Sequence, residues 1–303
     1  MRVVSIAAMA GVLLSSANAS AKTPPIELKR VGKWEVNYDQ DSCHLLGKFG
    51  EGSSSIIMRL TRYEPNDTFD MRFFGEPVRY YMQFPKVAYT FDPNATPKPF
   101  EAMVGAAGNL PMADFGIARL IPWPESIVVD AVRASGDQSP VADRVVPPSI
   151  SVADERKVSS LTITAPSGKR YKLLLGPMDG PFAAMRACTT NLVQSWGYDP
   201  ATQAALKSRP MPKSSPGTWM RPNDYPVDML ERGASGIVRF RLDVDERGGM
   251  SNCHILAHAG DDDFANTTCK ILMKRGQFDP AIDAAGQATK GYFVSAVRWS
   301  IGH

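Results

Sequence analysis

Four cysteines are the residues of this chain whose types and spacing most clearly define a chemistry: Cys43, Cys188, Cys253 and Cys269. None of them lies in a C-x-x-C motif or beside a cluster of histidines, so zinc binding and thiol redox chemistry are not indicated. An even number of cysteines in an exported chain, which the N-terminus indicates below, favours two disulfides. Three connectivities are possible. We predict Cys43–Cys188 and Cys253–Cys269, because each pair then falls within one of the two domains defined below.

A metal site is suggested at first by His254, His258 and Asp261, which lie close together in the sequence. On a strand, however, residues four apart are separated by about 13 Å, at 3.3 Å per residue. Two ligands of one ion cannot be that far apart, because metal–ligand bonds are about 2 Å long. We therefore predict polar outward-facing histidines and a helix cap, and no metal or cofactor.

Catalytic motifs are the next class of chemistry to consider. The sequence contains no G-x-S-x-G, H-E-x-x-H, P-loop or G-x-G-x-x-G pattern. The neighbouring carboxylates Asp243 and Asp245 are typical of the solvated face of a hairpin rather than of a hydrolase pair. We predict that the protein is not an enzyme. An enzyme whose site in the N-terminal domain has no recognisable motif remains an alternative.

Length and charge limit the possible partners. The chain has 303 residues, a length that predicts two domains. Its composition, 44% hydrophobic and 21% charged, is typical of globular proteins. The net charge of +3 comes from 34 basic and 31 acidic residues, which is too weak to indicate a nucleic acid as partner. The longest apolar run, residues 3–14, is shorter than the roughly 20 residues that a membrane-spanning helix needs.

The N-terminus has the pattern of a cleaved signal peptide. A positively charged start at Arg2 precedes the apolar residues 3–14, and small residues with two overlapping A-x-A sequences follow. We predict that residues 1–21 are the signal peptide, with cleavage after Ala19 or Ala21. The mature chain is then exported and is not inserted into a membrane.

Residues 25–198 are predicted to form a mostly-β domain. Apolar residues alternate with polar ones in several short segments, a pattern typical of antiparallel strands with one buried face. The segments contain Trp34 to Tyr38, Ile56 to Leu60, Phe69 to Phe73, Val78 to Phe84, Ile127 to Val129, Leu161 with Ile163, and Tyr171 to Leu175. An antiparallel sandwich or a partly open barrel is expected. Asp179 is the predicted N-cap of one closing helix, whose buried face carries Met185, Cys188, Leu192 and Trp196.

Residues 199–218 are rich in proline and serine, and we predict a linker there with neither helix nor ladder. Residues 219–303 are predicted to form an α+β unit with two helices. The first helix follows Pro226, and the second begins near Asp261 and ends at Gly276. Strands are predicted at 238–244, at 250–257 and from Tyr292 to about Ile301, with a glycine-containing turn between the first two.

This unit resembles the C-terminal domain of the TonB family, on an ordered set of residues. The matching positions are Tyr225-Pro226, Gly233, Gly236 to Phe240, Val244-Asp245, Gly248, Phe264, Leu272, Arg275, Phe278, Pro280-Ala281, Gly286, Val297 and Trp299. The resemblance implies a three-stranded antiparallel sheet with two helices, and a final strand at the sheet edge to which an extended segment of an outer-membrane transporter adds. It also implies a periplasmic location. No family is recognised for residues 25–198.

The resemblance defines a candidate peptide-binding strand at 292–299. Its residues are Tyr292, Phe293, Val294, Ser295, Ala296, Val297, Arg298 and Trp299. An edge strand presents unpaired backbone groups to an extended partner. A TonB transducer is anchored by an uncleaved helix, which the predicted cleavable signal would not supply, so we do not expect energy transduction by this chain alone. A self-associating structural protein of the envelope is the alternative to peptide binding.

Overall fold

The computed structural model describes residues 23–82, 84–93, 97, 99–122, 149–214 and 216–301. The predicted signal peptide (1–21) and the predicted strand at 127–129 lie outside the described residues. Within the described ranges, no helix combines the length and the apolar character that crossing a membrane requires.

Ten strands form the N-terminal sheet. They are β1 (Ile26–Tyr38), β2 (Cys43–Phe49), β3 (Ile56–Arg62), β4 (Thr68–Phe74), β5 (Lys86–Asp92), β6 (Phe100–Glu101), β7 (Met103–Ala107), β8 (Leu110–Arg119), β9 (Ser160–Thr164) and β10 (Arg170–Leu174). Their order across the sheet is β6-β5-β9-β10-β1-β2-β3-β4-β8-β7. The outermost strands β6 and β7 are separated in the chain only by Ala102, so the sheet is nearly closed into a barrel.

The prediction of a mostly-β N-terminal region is confirmed, but one strand pair is not antiparallel. β1 changes partner along its length: Ile26 to Lys29 pair in parallel with β10, and Arg30 to Tyr38 pair antiparallel with β2. The change of partner is followed by a register shift between Val31 and Glu35. The alternation of apolar residues is the same for a parallel and an antiparallel strand that is buried on one face, so the sequence pattern does not distinguish the two directions.

The core of the barrel comes from alternate residues of neighbouring strands. The side chains of Leu45, Phe49, Met58, Leu60, Met71 and Phe73 are all fully buried. In the described ranges after β8, the helices of this domain are α1 (Val152–Lys157) and α2 (Asp179–Ser195). α2 packs on β1 and β2 through the predicted face that includes Met185, Cys188 and Leu192. Its N-cap residue is Met178, one position before the predicted Asp179.

The prediction of a strand from Val78 to Phe84 is wrong. Glu76–Val78 is a 3-10 helix with Pro77 in its first turn, and the residues that follow form a loop. Val78 is buried, whereas Met82 and Phe84 are 60% and 41% exposed. The apolar alternation there therefore does not reflect a strand with one buried face, and the proline starts a turn instead.

The C-terminal region has the following elements: α3 (Pro200–Ala204), β11 (Met211–Pro212), α4 (Val227–Glu231), β12 (Gly236–Val244), β13 (Met250–Ala259), α5 (Asp262–Arg275), β14 (Phe278–Asp279), β15 (Ala281–Ile282), β16 (Ala288–Thr289) and β17 (Gly291–Trp299). Two of them differ from the expectation for the proline-rich segment. α3 is helical, with Pro200 at its start, and β11 pairs with β14. Trp219, just beyond this segment, is 4% exposed in the C-terminal core.

β13, β12 and β17 form the three-stranded antiparallel sheet that was predicted, with β12 in the centre. α5 covers one face of the sheet, where Val238 contacts Phe264 within one buried cluster and Phe240 lies with Leu272 in another. The turn from β12 to β13 requires glycine at position 248, because its φ is +82° and a Cβ would collide with the carbonyl oxygen of Phe278.

Both predicted disulfides are present. Cys43–Cys188 joins the start of β2 to α2 across a Cα–Cα distance of 6.0 Å. Cys253–Cys269 joins β13 to α5 across 5.6 Å. Each bond therefore attaches a helix to the sheet that it covers, and both distances lie in the usual range for disulfides.

Candidate functional site

The candidate binding strand, predicted at 292–299, lies within β17. β17 pairs with β12 along its whole length, from Gly236 opposite Trp299 to Val244 opposite Gly291. In the part of the chain that the structure describes, no strand pairs with the other side of β17. Its backbone N–H and C=O groups on that side form no ladder, which is the condition for adding an extended segment.

The register assigns alternate side chains of β17 to opposite faces of the sheet. Phe293 lies opposite Leu242 and packs in the inner core beside Phe278, with ring centroids 5.2 Å apart. Val297 and Trp299 also contact the inner core. Ser295, opposite Phe240, lies on the same inner face, and the outer face carries the side chains of Tyr292, Val294, Ala296 and Arg298.

The N-terminal domain covers the first part of this outer face. Tyr292 is only 4% exposed, and its ring lies 5.1 Å from that of Trp196 and 5.4 Å from that of Tyr198. The hydroxyl of Tyr198 can donate to the carbonyl oxygen of Gly291 at 2.9 Å or to Asp243 at 3.1 Å. Burial raises the pKa of both tyrosines well above the ordinary value, so both phenols are neutral.

A buried ion pair holds the centre of the outer face against the barrel. One guanidinium nitrogen of Arg239 on β12 donates to both carboxylate oxygens of Asp70 on β4, at 2.6 and 2.7 Å. The same guanidinium lies 4.5 Å from the ring centroid of Tyr63. Burial raises the pKa of the Asp70 carboxyl, and the charge of Arg239 opposes that rise. An ion pair this deeply buried stays favourable only because its partners are hydrogen-bonded.

Further charged contacts lie beside this pair. The Nε of Arg241 donates to Asp243 at 3.0 Å, and the guanidinium stacks 4.5 Å from the Trp196 ring. On β13, a hydrogen bond of 3.0 Å joins His254 Nε2 to Asp41 of the N-terminal domain. The prediction that Asp243 lies on a solvated face is therefore wrong, because its carboxylate is paired within the contact between the two domains.

His258, the other histidine of the rejected metal site, lies 3.4 Å from Asp262. Among the described residues, no three potential metal ligands from histidine, cysteine, aspartate and glutamate come together. Asp261 instead caps α5, where its side chain accepts a hydrogen bond from the backbone N–H of Asp263.

The two halves of β17 consequently differ in access. At its start, Gln203 donates to the carbonyl of Lys290 at 3.3 Å, and Tyr198 lies against Gly291. Towards its end, the side chains of Ala296 and Arg298 are exposed. The stretch of the free edge that lies beyond the buried Tyr292 runs from residue 294 to residue 299, and Val294 at its start is half-buried against the cluster of Tyr198 and Tyr292.

Sequence reasoning missed the residues with which the N-terminal domain covers the outer face. Trp196 is predicted only as part of the N-terminal core, and the sequence does not single out Tyr198, which contacts Tyr292, or Tyr63, which contacts Arg239. The one signal in the sequence is the alternation of Arg239, Arg241 and Asp243 along β12, where opposite charges on one face can be satisfied by a second surface.

The comparisons with known proteins bear on the C-terminal part alone. In searches of curated proteins and of solved structures, no protein matches this chain. A family model described as Gram-negative bacterial TonB protein C-terminal matches residues 221–301, and none matches the N-terminal part. The match confirms the TonB resemblance of residues 221–301 and indicates an envelope-associated protein in which this unit is of a kind that mediates contacts between proteins.

Proposed function

We propose that this chain is an exported, periplasmic protein that binds an extended peptide segment of an envelope protein along the free edge of β17, without catalysing a reaction. The observation that carries the proposal is the pairing of β17 on one side only, within the unit that matches the TonB C-terminal family. A segment of an outer-membrane transporter is the partner that the family resemblance suggests. Main-chain hydrogen bonds would supply most of the affinity, as in other cases of strand addition.

The access to β17 suggests where the peptide lies and what it contains. Because Tyr292 is buried under the N-terminal domain, the peptide pairs with residues 294–299. Arg298 is exposed on the outer face of this stretch, and opposite charges on neighbouring strands are favourable. We expect the preferred peptide to carry an acidic residue beside Arg298.

The test is a calorimetric titration of the whole exported chain with peptides from the periplasmic segments of outer-membrane transporters. Ser295→Pro and Ala296→Pro each remove one backbone donor, and neighbouring N–H groups of an edge strand alternate between its two sides. One of these two variants should therefore keep the ladder to β12 and its unfolding midpoint. We expect that variant to bind at least tenfold more weakly.

The matched controls are Ser295→Thr and Ala296→Thr, which keep the N–H groups and should bind like the wild type. The proposal is wrong if no peptide binds at millimolar concentration, or if the folded proline variant binds as well as the wild type. The same free edge would also suit a second copy of the chain. Sedimentation that shows a concentration-dependent dimer, lost in the folded proline variant, would favour the structural role instead.

A further inference from the structure

A cavity of about 550 Å³ lies where the two domains meet, with Cys188 and Leu192 of the N-terminal core in its floor. Its walls are the turn after β1 (residues 38–41), the last turns of α2, and the outer-face residues Arg241 and His254. This volume is in the range of small-molecule sites, which preferentially occur at domain interfaces. Both domains contribute charged side chains to it, so the cavity exists only when the domains are together.

Two residues that line the cavity each carry a buried hydrogen-bond donor with no partner among the described residues. Arg241, whose side chain is 7% exposed, uses Nε and Nη2 on Asp243, but its buried Nη1 donates to nothing. The buried Nε1 of Trp196, the residue on which the guanidinium stacks, is also unpaired. Buried polar groups are normally hydrogen-bonded, so two unpaired donors on adjacent side chains call for an acceptor.

The opposite wall is acidic. Asp39 is 63% exposed at its side chain, and its nearest basic group is His44, at 3.6 Å. Burial and the charge of Arg59 lower the pKa of His44, so this histidine is neutral at pH 7 and leaves the charge of Asp39 uncompensated. Asp41 adds a second carboxylate, hydrogen-bonded to His254. This wall attracts a positively charged group.

The cavity is not arranged for nucleophilic catalysis, although Ser195, His254 and Asp41 all line it. The hydroxyl of Ser195 donates to the backbone carbonyl of Leu192 at 2.8 Å. No hydrogen bond joins this serine to His254 within the described ranges, whereas an activated nucleophile lies within hydrogen-bond reach of its base. The geometry is that of a binding pocket.

We propose that this cavity binds a peptide of two or three residues with both termini free, its carboxylate at Arg241 and Trp196 and its ammonium group at Asp39 and Asp41. A simple anion would be repelled by the two aspartates, because Asp243 already balances Arg241. A simple cation would leave the two donors unpaired. The volume of about 550 Å³ lies within the range of small-molecule sites.

Binding requires a small movement of Arg241. Its Nη2–Asp243 contact of 3.4 Å is long for a hydrogen bond, whereas its Nε–Asp243 contact of 3.0 Å is not. Turning the guanidinium about the shorter contact would present the unpaired Nη1 to a carboxylate and give up only the weaker bond.

The test is calorimetry on the whole exported chain with three probes: the dipeptide Ala-Phe, its N-acetyl derivative and its C-terminal amide. We expect Ala-Phe to bind saturably, and each blocked form to bind at least tenfold more weakly. A dipeptide is too short to add a strand to β17, so this outcome is independent of the proposed strand addition. The absence of saturable binding at millimolar concentration, or equal binding of a blocked form, would overturn the proposal.

Two variants test the two ends of the ligand. Trp196→Phe keeps an aromatic ring against Tyr292 but removes the N–H donor together with the second ring of the indole, and Asp39→Asn keeps one acceptor oxygen and removes the charge. Each should weaken the binding of Ala-Phe at least threefold. Glu51→Gln removes an exposed carboxylate elsewhere on the N-terminal domain and should have no effect. Unchanged affinity in either cavity variant would contradict the assigned contact.

Discussion

The two faces of the C-terminal sheet are both covered, but by different kinds of contact. On the inner face of β12, Phe240 and Leu242 are 1% and 0% exposed in an apolar core under α5. On the outer face, Arg239 and Arg241 have side chains that are only 15% and 7% exposed, although both are charged. The inner face is stabilised by apolar burial and the outer face by paired charges and aromatic rings. The fold of the unit therefore depends on the first face, and the attachment of the two domains depends on the second.

The largest effect is expected on the inner face. Phe240→Ala removes a fully buried aromatic side chain, and the loss of apolar burial together with the cavity left behind should cost about 4 kcal/mol in the free energy of unfolding. Urea denaturation followed by tryptophan fluorescence measures this change. A loss below about 1 kcal/mol would mean that the inner core is not packed as described.

On the outer face, removing one member of the ion pair should be nearly as damaging. Arg239→Met leaves the buried Asp70 carboxylate without the nitrogen that donates to both of its oxygens and should cost about 3 kcal/mol. The double variant Arg239→Met, Asp70→Leu should recover part of this loss, because no unpaired charge then remains. Arg298→Met is the control, since Arg298 is exposed on the same face, and a change within about 0.5 kcal/mol is expected there. Equal effects of the two single arginine variants would contradict the assigned interface.

A smaller effect is expected at the hydroxyl that joins the two domains. Tyr198→Phe removes the group that reaches the Gly291 carbonyl and Asp243, and it should cost about 1–2 kcal/mol in the free energy of unfolding. Tyr38→Phe, at a tyrosine that is 53% exposed, should change the stability much less. If both variants unfold at the same urea concentration as the wild type, the Tyr198 hydroxyl does not contribute to the interface.

The dependence of stability on pH gives the subtlest test. Burial raises the pKa of Asp70 above its ordinary value of 3.8, so the folded protein binds this proton more tightly than the unfolded chain. The stability that Asp70 contributes is therefore fully present below 3.8 and falls as the pH rises through the folded pKa. The unfolding free energy of the wild type minus that of Asp70→Asn should therefore decrease as the pH rises from 3.8 through the folded pKa of Asp70. An increase would mean that Arg239 outweighs burial and lowers the pKa.

The sequence predicts the inner face well because its signal is local. Val238 to Val244 alternate strictly, and the acidic cap at Asp261 and the glycine at 276 bound α5. The mostly-β character of the N-terminal domain and the three-stranded C-terminal sheet follow from such patterns. These features depend on residues close in the chain, where periodicity and capping act directly.

The outer face could not be predicted, because what covers it comes from far away in the chain. Arg239 and Asp70 are separated by 169 residues. The sequence around an arginine on a strand does not show whether its side chain faces water or a carboxylate. The parallel pairing of β1 with β10 is non-local in the same way. The proline-rich segment was assigned to a linker on composition, whereas Pro200 starts a helix and Pro212 pairs with Phe278 at the end of a short ladder.

The central claim is that β17, and not the opposite edge strand β13, accepts a peptide. Amide hydrogen exchange of the whole chain, measured by NMR with and without a saturating transporter peptide, tests it most directly. Between residues 294 and 299, we predict slower exchange at the amides that point to the free edge of β17. No change is expected along β13, Met250–Ala259. Protection along β13, or no change in β17 when the peptide is bound, would contradict it.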